Sequence, residues 1–211
     1  VKIQSVEFVG SVPNPDMDVP HDLPHIAFSG RSNVGKSSLV NMLLRRTRTK
    51  IAHVSQHPGK TRALNFYRVN DRFYLVDLPG FGYARVPATE RERWKELVEA
   101  YLRRSTAPAG VVHLLDVRRG VTGSDRQMLD YLARLGLPTL VVVTKTDKVG
   151  RQECVATLRK IRDEAGLDEE QVLPFSSRTG EGRDTLLAAL EHLLEGVEAG
   201  AGGERRGREV S

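Results

Sequence analysis

One cysteine, Cys154, is all that this chain of 211 residues carries. An internal disulfide is excluded, and a cytoplasmic location is expected rather than an oxidising one. Cys154 lies among Gln152, Glu153, Val155 and Leu158 in a helix-like stretch, where a small half-buried side chain is a simpler reading than a reactive thiol. Long apolar runs are lacking too. Stretches such as Leu140 to Val143 fall far below the ~18 residues that a membrane helix needs, so no membrane partner is expected. No basic start leads into an apolar run, so no secretory signal is expected. The histidines are scattered without metal-ligand spacing, which gives zinc no support. There is no internal repeat, and no basic stretch interleaved with aromatics.

What is present is the composition of a soluble globular chain, 39% hydrophobic and 28% charged, long enough for one α/β domain and short of two ordinary ones. The net charge of +5 is unevenly placed, with one cluster at Arg45, Arg46, Arg48 and Lys50 and another at Arg205, Arg206 and Arg208. Such clusters attract phosphate-rich partners. They also serve as solvated surface, and charge alone does not choose between the two.

Short runs rich in Val, Leu, Ile or Phe occupy His25–Ser29, Leu64–Val69, Phe73–Leu78, Val111–Val117, Thr139–Thr144 and Val172–Phe175, with the lengths of buried strands. Asn70-Asp71 fits a two-residue hairpin turn, which makes the second and third runs antiparallel. Helical segments at Ser37–Arg46, Thr89–Arg104, Ser124–Leu135, Gln152–Ala165 and Arg183–Leu194 connect the others, which should then be parallel. In the second helix Trp94, Leu97, Val98, Tyr101 and Leu102 form one apolar stripe, read as core. The expected fold class is α/β, a doubly wound, mostly parallel six-stranded sheet with one antiparallel strand. Residues 23–195 form the domain, 1–22 an N-terminal extension with room for an extra strand and loop, and 196–211 a flexible basic tail.

Gly30-Arg31-Ser32-Asn33-Val34-Gly35-Lys36-Ser37 matches the phosphate-loop pattern G-x-x-x-x-G-K-[ST]. The glycines let the backbone wrap so that amides face phosphate oxygens, and the helix opening at Ser38 adds its positive N-terminal end. Lys36 brings charge to the β- and γ-phosphates, and the Ser37 hydroxyl can ligate Mg²⁺. The apolar strand His25-Ile26-Ala27-Phe28 before it supplies the required context. A second strand ends in Asp77, followed by Leu78-Pro79-Gly80. Asp77 can hold Mg²⁺ through a water, and the Gly80 amide can reach the γ-phosphate.

Thr144-Lys145-Thr146-Asp147 follows another strand. An Asp there can accept from the guanine N1–H and 2-amino groups, an arrangement that adenine does not offer, and the stem of Lys145 can lie across the base. Phe175-Ser176-Ser177 ends the last strand, where a backbone amide can meet the guanine O6. These elements in this order resemble a Ras-like G domain of the P-loop NTPase class, with GTP and GDP as the expected ligands.

Together with Pro58-Gly59-Lys60-Thr61, Leu23 to Phe28, Asn65-Phe66-Tyr67, Asp77 to Ala84, Trp94 and Asp116-Val117-Arg118, the sequence resembles the bacterial EngB (YihA/YsxC) GTPases, of the translation-factor-related, Era-like class. The resemblance covers about residues 5 to 195 and leaves the Gly/Arg tail unmatched. It implies a switch in late assembly of the large ribosomal subunit, acting on that subunit and its rRNA, and needed for normal cell division and septation. It also implies that Thr61 ligates Mg²⁺ alongside Ser37, and that Gly59, Lys60, Thr61, Arg62 and Ala63 approach the nucleotide.

No residue is assigned as a catalytic base. Where many GTPases carry a water-orienting Gln, this chain has Phe81, so slow intrinsic turnover is expected, with Lys36, Thr61 and Gly80 supporting the transition state. Asn33 is a candidate K⁺ ligand or a local cap of the loop. His53 and His57 read as surface histidines. Nothing demands more than a monomer. The alternative is a nucleotide-gated binding module whose hydrolysis is incidental. A P-loop kinase would leave Thr144 to Asp147 without a role.

Overall fold

Along β2 (His25–Gly30) every residue is buried, and successive side chains enter different cores, as the two-residue period of a strand requires. Ile26 and Phe28 pack with Leu39, Val40 and Leu43 of α1 (Lys36–Leu44) and with Leu186 and Leu190 of α5 (Arg183–Arg206). Ala27 packs on the other face with Leu97, Val98 and Tyr101 of α2 (Ala88–Leu102) and Leu132 of α3 (Gly123–Arg134). A third cluster sets Leu115, Val141 and Val143 beneath Ile161 of α4 (Arg151–Ala165). This computed structural model describes residues 1–44, 63–81, 87–104 and 108–206, with side chains described as far as residue 196.

The remaining strands are β1 (Val6–Val12), β3 (Leu64–Val69), β4 (Phe73–Asp77), β5 (Gly110–Asp116), β6 (Thr139–Thr144) and β7 (Val172–Phe175). With β2 they form one sheet in the order β1-β3-β4-β2-β5-β6-β7, in which, among the described strands, only β3 runs against the rest. Among the described residues the sheet therefore has seven strands rather than six. The seventh, β1, comes from the N-terminal extension and pairs with β3. Its pairing register shifts between Phe8 and Gly10, a bulge that breaks the alternation by which strands are recognised. Asn70 and Asp71 take φ of 53° and 52°, the left-handed pair of a type I′ hairpin turn.

The helical stripe expected in α2 is core: Leu97, Val98, Tyr101 and Leu102 are buried, with Trp94 half-buried. Cys154 is half-buried against the third cluster, and burial raises its thiol pKa. The segment from Gly196, expected as a flexible tail, is helical through Arg206. An established helix gains a hydrogen bond for each residue added, which a local reading of Gly content underrates. No helix among the described residues is long and apolar enough to cross a membrane.

Because β2 lies between β4 and β5, the chain leaves it toward one side of the sheet and returns on the other. Ligand crevices form at such a switch point, beyond the carboxyl ends of the parallel strands. The register places Phe28 opposite Asp77, Gly30 opposite Leu114, Asp116 opposite Thr144 and Thr144 opposite Phe175. All the strand-end residues singled out in the sequence thus reach one edge.

Candidate nucleotide site

The loop from Gly30 to Ser37 turns directly from β2 into α1. Gly35 has φ of 107°, a conformation that L side chains rarely adopt. Asn33 takes φ of 62°, which Asn tolerates better than most residues. Its side chain is exposed and has no hydrogen bond among the described residues, so the local cap is not formed. Leu39 N–H donates to Gly35 O at 2.9 Å and starts the helical ladder.

Lys36 reaches across the loop mouth to β4. Its Nζ donates to Asp77 Oδ1 and, at 2.6 Å, to Leu78 O. Only 7% of the lysine side chain and 6% of the aspartate side chain are exposed, so each charge has the other as its main compensation in a poorly solvated place. Ser37 follows Lys36 and is half-buried, while Leu78 and Pro79 are buried. Gly80 lies so close to the loop that a Cβ on it would come within 3.3 Å of Ser32 Cα. Phe81 completes the approach: Ser32 N–H donates to Phe81 O at 2.9 Å, the Ser32 hydroxyl donates to the same oxygen at 3.1 Å, and Phe81 N–H donates to Gly30 O at 3.4 Å.

The structure ties this loop to the segment after β6. The Thr144 hydroxyl lies 2.6 Å from Val34 O and 3.0 Å from Leu115 O. Lys145 has φ of 62° and directs its Nζ to Asn33 O at 2.6 Å and to Asp116 Oδ2 at 2.9 Å. Arg118 binds the same carboxylate through Nε at 2.9 Å and Nη2 at 2.6 Å. Burial alone would raise the Asp116 pKa; the hydrogen bonds from Arg118 and Lys145 outweigh it and hold the carboxyl well below the usual range. Asp116 and Arg118 had no assigned role in the sequence. The available signal was an apolar strand ending in an acid, the same one that marks Asp77.

At the far end of the crevice, Asp147 accepts from the Ser176 hydroxyl at 2.7 Å and from Arg178 Nε at 2.9 Å. The Ser176 bond, followed by the charge of Arg178, lowers the Asp147 pKa and keeps the group a carboxylate. Thr146 is buried, with its hydroxyl 3.1 Å from Glu181 Oε2. Ser176 N–H donates to Glu181 O at 3.1 Å, so this amide is already engaged, leaving Ser177 N–H as the candidate donor to a base. Phe175 is fully buried in the core and offers backbone only.

The crevice thus brings together Gly30 to Ser38, Asp77 to Gly80, Thr144 to Asp147 and Phe175 to Ser177. Ala63 precedes β3. Gly59, Lys60, Thr61 and Arg62 lie outside the described residues, as do the cluster Arg45, Arg46, Arg48 and Lys50, the histidines His53 and His57, and Arg208. Among the described residues no cluster of His, Cys, Asp and Glu could hold a metal. The oxygen donors at the loop mouth, the Ser37 hydroxyl and Asp77 carboxylate, suit a hard cation such as Mg²⁺ that also takes oxygens from phosphate and water.

The sequence model of the 50S ribosome-binding GTPase family matches residues 25–145, and that of the elongation factor Tu GTP-binding domain matches residues 95–196. A probable GTP-binding protein EngB of Gemmatimonas aurantiaca is 47% identical over 193 residues, covering 91% of this chain and 94% of the relative. The EngB of Geotalea daltonii is 40% identical, covering 96% and 97%. In fold, the chain is similar to the crystal structure of a probable GTP-binding protein engB, with a TM-score of 0.68 at 23% identity, over 81% of this chain and 98% of that one. It is similar also to Aquifex aeolicus Era, with a TM-score of 0.65 at 23% identity, over 82% and 57%. Phosphate-loop fold, motif order and relatives that match nearly end to end agree: this chain belongs to the EngB family of GTP-binding proteins.

Proposed function

We propose that the chain is a slow GTP-hydrolysing switch acting in late assembly of the large ribosomal subunit, and through that role in cell division and septation. The observation that carries this reading is the meeting of Lys36, Asp77, Gly80 and Phe81 at the mouth of the phosphate loop. Groups at that place can respond to a third phosphate, and the segment bearing Gly80 and Phe81 leads toward α2. GTPase switches work by such contacts, which order flanking segments with the γ-phosphate and release them without it.

Each residue has a task in this reading. Loop amides and Lys36 hold the phosphates, while Asp147, fixed by Ser176, accepts from the guanine edge. Ser37 and Thr61, with Asp77 through a water, would hold Mg²⁺, which would supply neutralisation of phosphate charge. Phe81 has no group that orients water, so turnover is slow until a partner or K⁺ at Asn33 completes the site. Equal rates in K⁺ and Na⁺ buffers would remove K⁺ from this account. The 50S ribosome-binding family model over residues 25–145 and the net charge of +5 support a ribosomal RNA partner, since phosphate contacts dominate nucleic-acid affinity. A cytoplasmic monomer is sufficient for the role.

Co-sedimentation with isolated large subunits tests the proposal. Pelleting with a non-hydrolysable GTP analogue and release with GDP is the expected result. Equal or absent pelleting in the two states would overturn the ribosomal part. Turnover that stays nearly undetectable with subunits added would make hydrolysis incidental to a nucleotide-gated binding module, a reading that Phe81 favours.

A further inference from the structure

His113, in the middle of β5, is fully buried. A histidine inside an apolar strand needs polar partners, and here it has two. Its Nε2 is 3.3 Å from Asp125 Oδ1, and its Nδ1 is 3.4 Å from Ser29 Oγ. With Nε2–H donating to the carboxylate, Nδ1 accepts from the serine hydroxyl. Asp125 is itself held, accepting from Thr122 N–H at 3.0 Å at the start of α3, and Ser29 immediately precedes Gly30. The imidazole is therefore oriented by the N-terminus of one helix and by the strand that feeds the phosphate loop.

One face of this ring carries Phe81. The two ring centroids are 5.9 Å apart, with planes inclined by 15°. Phe81 is also the residue whose backbone bridges Gly30 and Ser32 and whose neighbour Gly80 lies against Ser32. Nothing in the proposed chemistry uses His113, yet the side chain at the water-orienting position rests on it.

We infer that His113 is a positioning residue: its fixed imidazole is the platform on which Phe81 stacks, and this stack pre-sets Gly80 against the phosphate loop for contact with a γ-phosphate. The inference rests on the reading of the chain as a GTP switch. Pre-setting Gly80 reduces the ordering that a triphosphate must impose, and a diphosphate gains nothing from it. Loss of the stack should lower the affinity for a triphosphate relative to GDP by about two- to tenfold, the range of one aromatic pair.

The experiment measures Kd for GDP and for guanylyl imidodiphosphate with Mg²⁺, by titration calorimetry, in the wild type, Phe81→Leu, Phe81→Tyr, His113→Gln and the His113→Gln/Phe81→Leu double variant. Thermal unfolding establishes that each is folded. The triphosphate-to-diphosphate affinity ratio should fall in Phe81→Leu, stay near wild type in Phe81→Tyr, fall in His113→Gln, and fall no further in the double variant. A ratio unchanged or raised in Phe81→Leu overturns the inference, as do additive losses in the double variant. Should His113→Gln fail to fold, the Phe81→Leu and Phe81→Tyr pair decides alone. A wild type that binds neither nucleotide sinks the switch reading and this inference together; a wild type that binds both, with Phe81→Leu unaffected, sinks only this one.

Discussion

The two ends of β2 are built on opposite plans. At its amino end His25 sits among Phe66, Tyr74 and Tyr101, its ring parallel to that of Tyr101 and edge-on to the other two. Its Nδ1 lies 3.2 Å from the Tyr101 hydroxyl, and the strand is closed off by Ala109 N–H on His25 O at 2.8 Å. At its carboxyl end Gly30 passes into a loop surrounded by Lys36, Asp77, Asp116 and Lys145, whose backbone approaches Phe81. One end is neutral and aromatic and faces its own core; the other gathers charge and backbone polar groups at a crevice. In a parallel sheet of this kind the amino ends serve stability and the carboxyl ends serve ligands, and the contrast predicts which substitutions damage which property.

The largest effect belongs to the carboxyl end. Asp147→Asn should reduce the preference for guanine over xanthine nucleotides by as much as ~10⁴-fold and leave the unfolding temperature almost unchanged; competition binding with GDP and xanthosine diphosphate reads the change. Lys36→Met breaks the separation of roles. It should abolish nucleotide binding and also cost about 3–5 kcal/mol of stability, because Asp77 is left buried without its partner. Urea unfolding without nucleotide measures the cost, and the Lys36→Met/Asp77→Leu double variant should regain stability but not binding.

At the amino end, Tyr101→Ala should cost about 3–5 kcal/mol through the cavity it leaves, while GDP affinity in the folded fraction is retained. The smallest effect is that of pH. Burial lowers the His25 pKa, the Pro20 carbonyl partly opposing this, so the unfolded chain binds the proton more readily than the folded one. The resulting stability is complete above the unfolded value of about 6.5 and declines as pH falls below it, by at most about 1.4 kcal/mol per pH unit. Unfolding midpoints between pH 7.5 and 5.5 should drop in the wild type relative to His25→Phe.

The same contrast explains how much could be read from sequence. The internal strands were legible because each is a short apolar run, and the hairpin at Asn70-Asp71 because its turn chemistry is local. The four nucleotide motifs were legible because each is a fixed spacing along the chain. β1 was legible only as room for an extra strand within residues 1–22, without bounds or partner, since it lies at a sheet edge and carries a bulge at Phe8 to Gly10. The roles of Asp116 and His113 were hidden for a different reason. Their partners are Arg118 and Lys145 in one case, and Ser29, Asp125 and Phe81 in the other. Except for Arg118, those partners come from other elements, which only the fold brings together. Which amide of Phe175-Ser176-Ser177 stays free was not legible, because the engagement of Ser176 N–H by Glu181 O depends on a turn that closes after the motif.

Thr144 and Lys145 bond directly to the carbonyls of Val34 and Asn33, so the segment proposed to meet the base and the loop proposed to wrap the phosphates form a single mechanical unit. A ligand presenting both parts at once encounters receptors already held at a fixed separation. Guanosine and pyrophosphate offered as separate molecules would each have to give up their own translational freedom, whereas the covalently joined nucleotide does so once. On the proposed reading the fold would reward the intact nucleotide over its fragments through effective concentration, an advantage held in two side-chain tethers rather than in any contact with the ligand.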